Sequence, residues 1–106
     1  MHDDIADHAV LKQQLKRLEV LYAETERVRS RASLEAMRTA CRTARHIENP
    51  RYRYAIEQVG WIESALQEAN SRSDLSSLHS AISRFRNSLR TLDPCIERER
   101  ERKPST

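Results

Sequence analysis

The chain has 106 residues, enough for one domain, of which 38% are hydrophobic and 33% charged, with a formal net charge of +3. One Gly and three Pro argue against a turn-rich β fold, and no apolar run of about 18 residues is present to span a membrane. The charge falls in blocks: residues 1–26 sum to −3, 27–53 to +6, 54–80 to −3 and 81–106 to +3, unlike a uniformly basic nucleic-acid coat.

Helical periodicity dominates from the N-terminus onward. The start MHDDIADH is acidic and lacks an apolar secretory core, so no signal peptide is expected. Asp3 or Asp4 can cap the first helix, where acids suit the positive end of the dipole. Leu11, Leu15, Leu18, Leu21, Tyr22, Thr25 and Val28 then fall on one face. The pattern wavers at Ser30 to Ser33, but no Gly or Pro intervenes. Continuation is favoured over a break there, with Ala32, Ala36, Ala40, Ala44 and Ile47 extending the same face.

Asn49–Pro50 gives a clear stop, since the residue before proline is pushed out of the helical region. The same pair starts the next helix, with Asn49 as N-cap and Pro50 at the first position. Tyr52, Ala55, Val59, Ile62, Leu66 and Ala69 make its seam, and the helix is expected to run to about Ser71. Residues 71–74 (SRSD) read as a turn and the following N-cap. The last core helix has the cleanest seam: Leu75, Leu78, Ile82, Phe85, Leu89 and Leu92. Asp93–Pro94 ends it and can open a short tail helix. The charged tail has opposite charges three apart but no apolar face, and is expected to be solvated and frayed.

The expected fold is all-α: an antiparallel bundle of three to four helices, with one long or kinked N-terminal helix packed on a helical hairpin. Residues 1–93 form the bundle and 94–106 the charged tail. A first helix of some 45 residues would reach roughly 65 Å, against about 30 Å for each hairpin helix. That mismatch would leave apolar surface uncovered, and self-association would cover it.

Two surfaces stand out. On a continuous helix Arg27, Arg31, Arg38, Arg42 and Arg45 lie within about 60° of one another, opposite the seam. Guanidinium groups so placed can contact a phosphate backbone, or simply form the solvated side of a helix. Arg51 and Arg53 with Tyr52 and Tyr54 would add base stacking, although Tyr52 falls on the seam and reads as core. Tyr54 and Trp61, seven apart, share a side of their helix away from the seam. With Ala65 they form a narrow apolar strip edged by Glu57 and Glu68. The strip is either packed between two neighbours inside the bundle or an interface hot spot for a partner.

The remaining chemistry is sparse. Cys41 and Cys95 lack metal or redox spacing and read as reduced thiols of a cytoplasmic protein. Asp4 and His8 stand one turn apart, but two ligands do not make a metal site, and no metal or cofactor is expected. No phosphate-binding glycine loop and no nucleophile–base pair is visible, so no catalytic residue is assigned. Arg72 and His79 form Arg-x6-His, which resembles the Arg-x4–6-His signature of the HEPN ribonucleases, with Ser73 as the polar residue after the arginine. That resemblance spans eight residues and implies action on a ribose 2′-hydroxyl and its phosphate.

The function expected from these features is a non-enzymatic helical interaction module (adaptor, chaperone-like subunit or regulator). It would use the aromatic strip and an arginine face to bind another protein or itself as a homo-oligomer, without a membrane. Nucleic-acid binding through the arginine stripe is the alternative, and a HEPN-like ribonuclease a remote one.

Overall fold

A computed structural model of the chain describes residues 2–69 and 74–102. The architecture is an all-α antiparallel bundle, with no strand among the described residues. The elements are α1 (Asp4–Arg27), α2 (Arg31–Arg45), a 3-10 turn at Pro50–Tyr52, α3 (Arg53–Ala69), α4 (Ser76–Arg90) and α5 (Asp93–Arg102).

Each boundary has a local cause. Asp3 caps α1, its carboxylate accepting from the Ala6 amide at 3.1 Å. Asn49 caps the next turn, its side-chain oxygen accepting from the Arg51 amide at 3.0 Å, and Pro50 follows in a position that needs no amide donor. At α4 the N-cap position is Leu75, which offers no capping side chain, and Asp74 before it accepts from the amide of Ser76 at 2.9 Å and from its hydroxyl at 3.1 Å. Of the expected turn at residues 71–74, only Asp74 lies within the described residues.

The favoured continuation through Ser30–Ser33 is overturned. Val28 is extended (φ −140°), and the Ser30 hydroxyl accepts from the Ser33 amide at 3.0 Å, starting a new helix. Serine can break a helix without glycine or proline, because its side chain replaces a backbone partner. The reversal sets α2 back against α1 and shifts its buried phase to Leu34, Met37, Ala40, Cys41 and Ala44. Ala32 is left exposed, while Ala36 and Ile47 are half-buried. Two helices therefore stand where one of roughly 65 Å was expected, and of the apolar face expected on the first, Val28 is left 70% exposed.

The helices form a closed ring, α1 packing on α2 and α4, and α3 on α2 and α4. The body measures 49 × 22 × 20 Å, two helix diameters across. Leu11, Leu18, Met37, Tyr52, Ile62, Leu66, Phe85 and Leu89 fill the interior, each almost wholly excluded from solvent. The described part of the tail is helical rather than frayed: α5 lies against α1 and buries Ile96, while Glu97, Arg98, Arg100, Glu101 and Arg102 stay exposed as expected of the charged run. No described helix is long and apolar enough to cross a membrane.

Candidate interaction surface

The start of α3 is fixed by a polar junction, and that fixes which of its faces looks outward. The Asn49 amide nitrogen donates to Asp4 at 2.6 Å and to Asp7 at 3.0 Å, tying the turn to α1. Arg51 donates to Asp4 at 2.7 Å and also to Glu99 of α5. Tyr52 goes inward, its hydroxyl donating to the Asp4 carbonyl at 3.1 Å. The carboxyl of Asp4 is held below its ordinary value by the Asn49 bond, then by Arg51. His8 Nε2 lies 2.7 Å from Asp93, which also accepts from Lys12 at 3.3 Å. Asp4 and His8 thus serve different structural partners, and no group of three potential metal-ligating side chains occurs among the described residues.

With Tyr52 inside, helical geometry carries Tyr54 and Trp61 to the outer side of α3. They are 65% and 60% exposed, so the alternative that they pack between two bundle neighbours is overturned. At 100° per residue, Tyr54, Trp61 and Glu68 form one line along the helix, with Glu57 about 40° to one side and Ala65 about 40° to the other. Glu57 leans toward α2, bordering a hollow with Ile56 and Gly60. Ala65 is buried to 7% exposure and faces α4. Beside it an open cleft of about 350 Å³ runs between α3 and α4, with Ala65 and Ala81 buried along it and Ser64 and Ser80 exposed at its sides. Trp61 rises at its edge with Arg84, and Glu68 lies toward the other end.

The sequence pattern missed this cleft. Its signal is the run Ser77, Ser80 and Ala81, small residues at helical spacing on the edge of α4 with Arg84 one turn further on, facing Ser64 and Ala65. The junction at Asn49 was also missed as a junction, because a cap residue's second set of partners lies 42–45 residues away in the chain.

The arginine stripe is shortened by the break. Arg27 ends α1, whereas Arg31, Arg38, Arg42 and Arg45 belong to α2, where they still lie within about 60° of one another. Two are engaged: Arg38 donates to Glu35 at 2.6 Å, and Arg45 donates to Glu63 of α3 at 2.7 Å. Arg31 and Arg42 are exposed and make no ion pair among the described residues. Of the Arg-x6-His motif, Arg72 and Ser73 lie outside the described residues. His79 is exposed, its ring 5.5 Å from that of Tyr22 in an open hollow bordered by Glu26 and Asp74.

Both cysteines are free thiols, Cys41 in the core and Cys95 half-buried on α5. Comparison with protein-family models, with curated proteins and with solved structures gives no match to this chain.

Proposed function

We propose that the protein is a non-enzymatic helical interaction module, an adaptor, chaperone-like subunit or regulator, whose working surface is the Tyr54/Trp61 strip of α3. One observation carries this. Tyr52 and Phe85 are wholly buried, yet Tyr54 and Trp61 are mostly in water on one line of one helix. Folding does not require a tryptophan there, since a polar residue would serve a solvated face better. Exposed Trp and Tyr supply large rigid contact area when a partner covers them. The rim of Glu57 and Glu68 suits a partner surface carrying cations.

The test is cross-linking of the tagged chain in its host cell, beside Trp61→Ala and Tyr54→Ala, with helicity checked by circular dichroism. Complexes formed by the native chain and lost in natively helical variants support the role. Identical complexes from all three chains, or a variant that loses its helices, refute it.

A further inference from the structure

Beyond the α3 strip, we infer that the exposed side of α2 binds the phosphodiester backbone of a nucleic-acid duplex through Arg31, Arg38, Arg42 and Arg45, without reading its bases. The charge of this segment sets it apart from the rest of the chain. Residues 27–46 contain six arginines and one carboxylate, Glu35, a net +5 against +3 for the whole sequence. The remainder is therefore net negative, and the molecule carries one cationic side rather than a basic coat. Such a side turns itself toward an approaching polyanion.

Folding accounts for only part of that charge. Arg42 and Arg45, in the last turn of α2, complement the negative end of the helix dipole. Arg31 does the opposite: it opens the helix, and the first turn holds no acid to offset it. The first turn of α1, by contrast, holds Asp4 and Asp7. A cation kept at the unfavourable end of a helix is placed for an anion outside the chain.

The geometry suits a phosphate backbone. The four arginines lie within about 60° of one another over about 21 Å of helix axis. Each strand of a duplex offers a phosphate about every 3.4 Å along its axis, roughly six in that length. Every guanidinium can thus meet a separate one. Arg31 and Arg42 are exposed and make no ion pair among the described residues. The pairs of Arg38 with Glu35 and of Arg45 with Glu63 are at the surface, where ion pairs are weak and yield to a competing phosphate. α2 contains no aromatic residue on which an unpaired base could stack, which favours a duplex over a single strand.

Fluorescence anisotropy of a labelled random-sequence DNA duplex, titrated with the full chain between 50 and 200 mM salt, tests this. With two to four phosphates neutralised, each adding about 0.9 to the log–log slope, affinity should fall roughly 12- to 150-fold over that range. Arg31→Gln/Arg42→Gln should flatten the slope by about 1.8 and weaken binding at the lower salt, and either single substitution should flatten it by about half as much. Arg90→Gln/Arg100→Gln removes the same charge from exposed positions of α4 and α5 and should leave the slope unchanged. All are surface changes and should keep native helicity by circular dichroism. No duplex binding at the lower salt, equal losses from the two double variants, or tighter binding of a single strand of the same length overturns the inference. Polyglutamate bound more tightly than the duplex would assign the face to an acidic protein and overturns it too.

Discussion

Tyr52 and Trp61 lie nine residues apart on one structural segment, and truncating each to alanine should separate folding from association. Trp61 is 60% exposed. A tryptophan has roughly 250 Å² to cover, so some 100 Å² is out of water. At about 25 cal/mol per Å² that gives a ceiling near 2.5 kcal/mol. Alanine keeps the Cβ share, the unfolded chain already covers part of this area, and alanine gains up to ~0.7 kcal/mol in helix propensity. About 1 kcal/mol remains for Trp61→Ala. Tyr52 is wholly buried and also donates to the Asp4 carbonyl, so its truncation falls in the range of about 3–5 kcal/mol for buried aromatics. Urea unfolding followed by far-ultraviolet circular dichroism measures both without relying on tryptophan emission. A Trp61→Ala cost equal to that of Tyr52→Ala would place the indole in the core and refute the reasoning.

Gly60 lies inside α3 with no positive φ, and a Cβ built there meets nothing within 4 Å. Gly60→Ala should therefore raise the urea midpoint by the equivalent of about 0.5–1 kcal/mol; a lower midpoint would contradict the open space. Asp4 and Asp93 both titrate below the ordinary carboxylate value. For Asp4 the cause is the Asn49 bond and then Arg51; for Asp93, burial pushes upward, but bonds from His8 and Lys12 outweigh it. A depressed folded value means that the unfolded chain binds protons more readily in this window. Their stabilisation is present above an unfolded value of about 3.9 and is lost as pH falls through the folded values. Acid titration of stability should show this loss, with a shallower slope in Asp4→Asn; an unchanged slope would contradict it. Burial pushes the Cys41 thiol up to about 12, so alkylation near pH 8, read by mass spectrometry, should label Cys95 alone until urea exposes Cys41.

The seams of α3 and α4 were legible because their apolar residues repeat at helical spacing without interruption. Tyr52, Ala55, Val59, Ile62, Leu66 and Ala69 are all buried, as are Leu78, Ile82, Phe85 and Leu89. The break before α2 was not. It depends on the Ser30 hydroxyl capturing the Ser33 amide, and on the packing gained when Leu34 and Met37 turn inward. An alanine-rich face at 32, 36, 40 and 44 fits a continuing helix equally well, so local pattern could not choose between them. The aromatic strip was legible as a departure from the seam, but its exposure was not, since only the positions of α2 and α4 decide whether that side is covered. The docking of the tail turned on one apolar residue, Ile96, with Glu99 reaching Arg51. A single buried side chain leaves no periodicity to read.

Trp61 is the only tryptophan, so its fluorescence reports directly on the surface on which the account depends. At concentrations where scattering gives a single chain, emission should resemble that of the urea-unfolded protein and be readily quenched by acrylamide. It should shift to shorter wavelength and become protected as complexes form. Blue-shifted, acrylamide-resistant emission from the single chain would show a buried indole and contradict the account.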